Sequence, residues 1–122
     1  MTRDAHLSDP TSLAERIAQV ASYRKASDIR VIDLRGIVSY TDFFVICSGN
    51  TERQTKAIHD AIYEDLKHDD ERLLPRRTEG GRDARWILLD YWDVVVHIFT
   101  PDAREYYRLE NLWGEAPARS VG

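Results

Sequence analysis

The stretch that decides the fold lies late in the chain, at residues 85–99, and reads Arg-Trp-Ile-Leu-Leu-Asp-Tyr-Trp-Asp-Val-Val-Val-His-Ile-Phe. Two apolar runs, 85–89 and 94–99, flank a polar and aromatic link at 90–93, and this pattern predicts a β-hairpin. The second run is apolar at almost every position, which is typical of a strand covered on both faces. We therefore expect the hairpin at the centre of a sheet, with the other elements packed around it.

Length, charge and cysteine content narrow the class of protein. The chain has 122 residues, which suits one domain with its own core. A net charge of −4 gives no overall attraction to nucleic acid, so no specific nucleic-acid partner is predicted. The one cysteine, Cys47, cannot form a disulfide within the chain, which fits a reducing compartment. No apolar run approaches the roughly 20 residues of a membrane span, and the N-terminus has no signal-peptide core. We therefore expect a cytoplasmic protein with no membrane contact.

Helices are predicted on both sides of the hairpin. After a flexible lead-in at residues 1–9, Asp9 and Pro10 are suited to begin a first helix that extends to about Ser27. Thr51 opens a capping box that begins a second helix.

A third helix is predicted near the C-terminus. Thr100 caps it and Pro101 stands at its first position. It extends through Trp113 to Gly114, which suits a C-terminal cap, and residues 115–122 are predicted to be a disordered tail.

Three further strands complete the predicted sheet. They lie at 28–35, at 42–48 and from residue 73, the last at an edge because Pro75 cannot donate to a ladder. The order of helices and strands predicts an α/β (α+β) fold, a single domain at 10–114 in which helices cover a mixed five-stranded sheet.

Cys47 and Arg53 have the spacing of a cysteine phosphatase loop, with five residues between them and a predicted strand and helix on either side. In such a loop the backbone N–H groups hold a phosphate and the helix lowers the thiol pKa. The spacing is common by chance, and Glu52 would repel a phosphate. A buried strand cysteine before an ordinary helix is the simpler interpretation, and the phosphatase remains an alternative.

A nucleotidyltransferase-like enzyme is a second alternative, suggested by Ser48-Gly49 before a helix. Such enzymes hold Mg²⁺ with two carboxylates on one strand face, and no Asp-x-Asp pair stands on any predicted strand. His97 lies in an apolar run, where a histidine is more often packed and hydrogen-bonded than a base or ligand. No catalytic residue, metal or cofactor is therefore predicted.

Large rings are concentrated in the last third of the chain, and they favour a binding protein over an enzyme. Tyrosine and tryptophan are common anchors of protein interfaces. An arginine cluster between residues 72 and 85 is interleaved with carboxylates, so a solvated edge explains it as well as an RNA contact does. The rings are Trp86, Tyr91, Trp92, Tyr106, Tyr107 and Trp113.

Four segments together resemble the ribosomal silencing factor family, RsfS, also called the Iojap-like family. They occur in family order from the first strand to Trp113. The segments are Asp28-Ile-Arg-Val-Ile-Asp-Leu; Thr41-Asp-Phe-Phe-Val-Ile-Cys-Ser-Gly-Asn-Thr-Glu-Arg-Gln; Trp86-Ile-Leu-Leu-Asp with Asp93-Val-Val-Val-His-Ile-Phe; and Arg104-Glu-Tyr-Tyr-Arg-Leu-Glu-Asn-Leu-Trp.

The resemblance implies a translational repressor and not an enzyme. Family members bind the large ribosomal subunit through its fourteenth protein and block joining with the small subunit, especially in starvation or stationary phase. The implied fold is a nucleotidyltransferase-like sheet without catalytic residues, and the free protein is implied to be a homodimer.

The resemblance also implies a partner-binding surface. It places Trp86 and Tyr107 on that surface, with Asp93, Leu109 and Glu110 nearby. Many relatives have glycine where this chain has Trp92. A large residue there argues against a left-handed turn and places a ring at the hairpin tip.

Overall fold

The computed structural model describes residues 7–80 and 84–121. Residues 1–6 of the predicted lead-in at 1–9, Arg82 of the arginine cluster and residue 122 lie outside the described residues. The helices are α1 (Pro10–Tyr23), α2 (Glu52–Lys67), α3 (Pro101–Tyr107) and the short 3-10 helix η1 (Leu109–Trp113). The strands are β1 (Ser27–Asp33), β2 (Phe43–Ser48), β3 (Arg77–Glu79), β4 (Trp86–Asp90), β5 (Val94–Phe99) and β6 (Ala118–Val121).

The strands form a single mixed sheet in the order β3-β4-β5-β2-β1-β6. Among the strands of the described residues, β2 and β5 run parallel and the other neighbouring pairs are antiparallel. The predicted hairpin is β4 and β5, and β5 lies inside the sheet with a partner on each side. The mixed α/β fold is therefore confirmed. The sheet has six strands within the described residues, where five were predicted.

The two faces of the sheet are covered differently. Helices α1 and α2 lie on one face, where the apolar stripes of both helices meet alternate residues of the strands. The core of this layer includes Ile17, Ile58, Ile62, Leu66, Val45, Val96 and Ile98. On the other face a smaller core of Phe44, Ile46, Val95 and Phe99 is covered by α3 and η1. Because these two helices are short, this second face keeps large apolar side chains at the surface.

Two predicted boundaries are wrong. Helix α1 ends at Tyr23 and not near Ser27, because Lys25 adopts φ 66° and the Ala26 N–H donates to the Ala21 carbonyl in a Schellman turn. Position 25 is a lysine and not a glycine, so the sequence does not indicate that the helix ends here. Strand β3 begins at Arg77, although it does lie at the sheet edge as predicted.

The last predicted helix is two helices. Arg108 adopts φ 48° and ends α3, so Leu109–Trp113 forms a separate 3-10 helix. Gly114 is the C-terminal cap of this last helix, as predicted, and it adopts a right-handed conformation with φ −60°. Left-handed geometry at an arginine requires tertiary contacts that hold it there.

Both predicted chain ends are more ordered than expected within the described residues. The tail at 115–122 was predicted to be disordered, but β6 pairs with β1 and covers an otherwise open sheet edge. Near the other end, Leu7 is buried, and its N–H donates to the Glu71 carboxylate at 2.9 Å.

The hairpin turn is left-handed in spite of Trp92, which adopts φ 69°. The expectation against such a turn is therefore wrong. The buried carboxylate of Asp90 accepts the Trp92 N–H at 2.8 Å and compensates the strain. The ring does lie at the tip, 49% exposed, with the Arg76 guanidinium 5.8 Å from its centre.

Trp92→Gly is expected to be more stable than Trp92→Ala by about 1 kcal/mol, because only glycine adopts this φ without steric cost. Both variants lose the contact with Arg76, so the comparison isolates the backbone. Urea unfolding of the two variants measures the difference. An alanine variant as stable as the glycine variant would contradict the strained turn.

Candidate interaction surface

Four rings meet where β4 begins, β5 ends and α3 ends. Trp86 pairs with Phe99 across the hairpin, and their rings stack with centres 5.0 Å apart. The Tyr107 ring also lies against Trp86, with the ring centres 4.6 Å apart, and it lies 6.4 Å from the Phe99 ring. Tyr106 meets Tyr107 edge-on at 5.0 Å. We call Trp86, Tyr106 and Tyr107 the aromatic face.

His97 holds Trp86 in place from below. The Trp86 indole N–H donates to His97 Nδ1 at 3.1 Å, so this nitrogen carries no proton. Burial lowers the pKa of His97 to about 3, and the nearby Asp90 carboxylate opposes that shift only in part. The Phe44 ring packs on the imidazole at 4.5 Å. His97 is therefore a neutral, packed acceptor and has the role that its apolar run favoured.

The free energy of unfolding is expected to fall as the pH falls below about 6.5. The unfolded chain takes up a proton at His97 near the ordinary pKa of 6.5, whereas the folded chain resists this down to about 3. The loss between pH 6.5 and 4.5 is expected to be up to ~3 kcal/mol. His97→Gln keeps an acceptor for the indole and removes the titration. Identical pH profiles for the two proteins would contradict this role.

The aromatic face combines exposure with rigidity. Tyr106 is 80% exposed and Tyr107 is 50% exposed, while Trp86 is half-buried. Phe99 beneath them is fully buried. A patch of large rings that packs on buried side chains and exposes its outer side to solvent is typical of an interface anchor.

The other residues of the predicted surface are spread out. Leu109 packs against the core of the second face. Both carboxylate oxygens of Glu110 accept bonds from Arg104, at 2.8 and 3.1 Å, and the Arg104 guanidinium thereby lowers the pKa of Glu110. Asp93 is exposed at the opposite end of β5, about 20 Å along the strand from Phe99. The structure brings Trp86 and Tyr107 together and leaves Asp93 apart.

The cysteine phosphatase alternative conflicts with the site of Cys47. Its side chain is buried in the core between the sheet and helices α1 and α2. Burial raises the pKa of the thiol to about 12, although Arg104 acts in the opposite direction. A phosphatase nucleophile needs an accessible thiol with a lowered pKa. Arg53 is exposed on α2.

The carboxylates on the strands are bound within the protein. Asp90 binds Arg76 at 3.0 Å and Arg77 at 3.4 Å, and Asp33 binds Arg35 at 2.7 Å. Over 7–80 and 84–121, no group of three or more His, Cys, Asp or Glu side chains could hold a metal ion. No helix within the same residues is long and apolar enough to cross a membrane.

The sequence did not single out Arg104 beyond its place in a motif. It lies on α3 with 8% exposure and bonds to two strand ends and to Glu110. Glu110 lies six positions after Arg104. Side chains at this spacing are not neighbours on a helix, so the sequence contains no local sign of their contact.

Residues 7–121 match the family described as "Ribosomal silencing factor during starvation". The chain belongs to this ribosomal silencing factor family, RsfS. The RsfS protein of Bacillus subtilis is 41% identical over 106 residues, which cover 87% of this chain and 88% of that protein. A crystal structure from Bacillus halodurans has a TM-score of 0.78 and 35% identity, and covers 91% of this chain and 99% of that one.

A more distant RsfS relative is the mouse protein named "Mitochondrial assembly of ribosomal large subunit protein 1". It is 34% identical over 100 residues, which cover 81% of this chain and 44% of the mouse protein. The resemblance seen in the four segments is thus confirmed. Membership of the RsfS family indicates a ribosome-associated silencing role and a regulatory protein.

Proposed function

We propose that this RsfS-family protein represses translation by binding the large ribosomal subunit through its fourteenth protein. The bound protein then blocks joining with the small subunit, especially in starvation or stationary phase. The aromatic face carries this proposal, because its exposed rings, held by buried neighbours, form an anchor for a protein partner. The name of the mouse relative, which refers to the large subunit, supports the choice of subunit.

Rigidity makes the aromatic face a favourable anchor. The stack on Phe99 and the hydrogen bond to His97 fix Trp86 before any partner arrives. Tyr107 lies against Trp86 and keeps half of its surface open. Binding then immobilises few further side chains, so the loss of conformational entropy takes less from the binding free energy.

The proposed mechanism is steric occlusion and needs no chemical step. Trp86 and Tyr107 form the centre of the proposed contact, and Leu109, two residues after Tyr107, packs against the core of the second face. Asp93 is proposed as a rim contact, because it is exposed at the other end of β5. An exposed rim charge contributes more to the rate of association than to affinity. We place the activity in the cytoplasm, where ribosomes are found.

The experiment that tests the proposal is co-sedimentation with purified large and small subunits. The protein is expected to sediment with large subunits and not with small ones. Equal binding to both subunits, or to neither, would contradict the proposal. The phosphatase alternative is tested with a turnover assay. It predicts that the wild-type protein has phosphatase activity and that Cys47→Ser abolishes it.

Self-association is a second proposal, favoured by the exposed rings of Tyr106 and Tyr107. We propose that the free protein forms a homodimer through a surface that overlaps the aromatic face. Such a dimer must dissociate before it binds a ribosome, which lowers the apparent affinity. Sedimentation velocity over a range of concentrations tests this, and a monomer at every concentration would contradict it.

A further inference from the structure

Arg104 connects the aromatic face to the sheet. Its guanidinium lies behind α3 and donates to three different parts of the chain. Nη1 donates to the Asp28 carbonyl at 2.7 Å and to Ser48 Oγ at 2.9 Å. Nε and Nη2 donate to the two carboxylate oxygens of Glu110. We call these four hydrogen bonds the Arg104 clamp.

Both strand contacts of the clamp are at irregular or terminal positions. Asp28 adopts φ 53° within a register shift of the β1–β2 ladder, so its carbonyl is free to accept from Arg104. Ser48 is the last residue of β2. The clamp therefore fixes α3 against the ends of two neighbouring strands, through a backbone carbonyl at the β1 irregularity and a side-chain hydroxyl at the end of β2.

The clamp also fixes the chain reversal that presents Tyr107. The Arg104 carbonyl accepts the Arg108 N–H at 2.9 Å, and Arg108 is the left-handed residue between α3 and η1. Glu110 lies just after this break, so its ion pair with Arg104 joins the two sides of the turn. Tyr107 is the last residue of α3, directly inside the joined segment.

Glu110 is poorly placed to bind a partner directly, because its carboxylate is already paired within the protein. Arg104 occupies both of its oxygens in the paired geometry that suits a guanidinium and a carboxylate. Its side chain is 21% exposed, and Arg30 approaches one of the oxygens at 3.9 Å. A carboxylate already neutralised in this way gains little from a further cation.

We infer that the Arg104–Glu110 pair positions Tyr107 for the ribosomal partner, and that Glu110 acts through Arg104 without touching that partner. The inference rests on the proposed function, since it assigns these two residues to the same surface. Arg104 and Glu110 are thus positioning residues. A lysine at 104 keeps the charge but cannot bridge Glu110 and two strand ends at once.

The test uses Arg104→Lys and Glu110→Gln in the full chain. In the free protein, both are expected to shift the NMR resonance of the Trp86 indole N–H, because the Tyr107 ring against it moves. Both are expected to raise the Kd for purified large subunits about tenfold. Arg35→Lys is the matched control: it alters another paired arginine and carboxylate, Arg35 with Asp33, and is expected to change neither readout.

A double-mutant cycle separates positioning from direct contact. If the clamp acts through Tyr107, Tyr107→Ala raises the Kd much less in the Arg104→Lys background than in the wild type. If the two substitutions instead raise the Kd by independent factors that multiply in the double mutant, the inference is overturned. So would a Glu110→Gln variant that binds weakly while Arg104→Lys leaves the Kd and the Trp86 resonance unchanged.

The two proposals fail in different ways. If Tyr107→Ala binds large subunits as the wild type does, while both clamp variants shift the Trp86 resonance, the proposed binding surface is wrong and the positioning of Tyr107 is upheld. If Tyr107→Ala abolishes binding but neither clamp variant moves the resonance, the surface is upheld and the clamp is overturned.

Discussion

Tyr107→Ala is expected to weaken binding to the large ribosomal subunit by about 2 kcal/mol or more, which is roughly thirtyfold in Kd. The ring is half exposed beside Trp86, so its removal takes away the accessible half of the anchor. It also leaves Trp86 uncovered on that side. Because Tyr107 ends a short surface helix, the free energy of unfolding is expected to change little.

Trp86→Ala is expected to have an effect of at least the same size, again measured as Kd for purified large subunits. Tyr23 is a matched control, because it is a large ring that is 84% exposed on α1, on the other face of the sheet. Alanine at this position is expected to leave the Kd unchanged. Equal losses for Trp86 and Tyr23 would contradict the placement of the surface.

Gly80→Ala is expected to lower the free energy of unfolding by about 3 kcal/mol. Gly80 adopts φ 87°, and an added Cβ would overlap the carbonyl oxygen of Trp86 and lie 2.9 Å from its carbonyl carbon. The backbone of Trp86 must move to make room. Affinity for the large subunit is therefore expected to fall together with stability, as measured by urea unfolding and by Kd.

Gly36→Ala is the control for this substitution. Gly36 has a similar φ of 81°, but no heavy atom lies within 4 Å of the position of an added Cβ. Its loss of stability is expected to be about 1 kcal/mol, the cost of the backbone conformation alone. Equal losses at the two glycines would show that the close approach to Trp86 carries no energetic weight.

The parts of the fold that follow local rules could be predicted from the sequence. Strand β5 is apolar on both faces, and it lies inside the sheet as that pattern indicated. Asp9 caps α1 and Thr51 caps α2, because capping depends on residues only two or three positions apart. The sixth strand could not be predicted from local rules, because β6 forms by pairing with β1, which lies about 90 residues earlier in the chain.

The break after α3 depends on tertiary contacts and was therefore missed. On one continuous helix, Arg104 and Glu110 would project from different faces, since six residues make about one and two-thirds turns. The left-handed Arg108 brings them together, and their ion pair helps to hold Arg108 in that conformation. The left-handed Arg108 and the ion pair depend on each other, so neither can be predicted from the sequence alone.

For the candidate surface, the sequence proposes members, which stay a prediction, but it does not indicate their geometry. The family resemblance placed Trp86 and Tyr107 on it, but their contact at 4.6 Å depends on the register that pairs Trp86 with Phe99. The supporting role of His97 follows from the same alternation, which turns it to the face of Trp86. Local sequence gave no reason to separate Glu110 from the direct contacts.

The most direct measurement is subunit joining in the presence of saturating protein. Purified large subunits are first mixed with the protein, small subunits are then added, and joined ribosomes are quantified on a sucrose gradient. We expect the wild-type protein to prevent joining and Tyr107→Ala at the same concentration to permit it. Undiminished joining with wild-type protein bound to the large subunits would contradict occlusion as the mechanism.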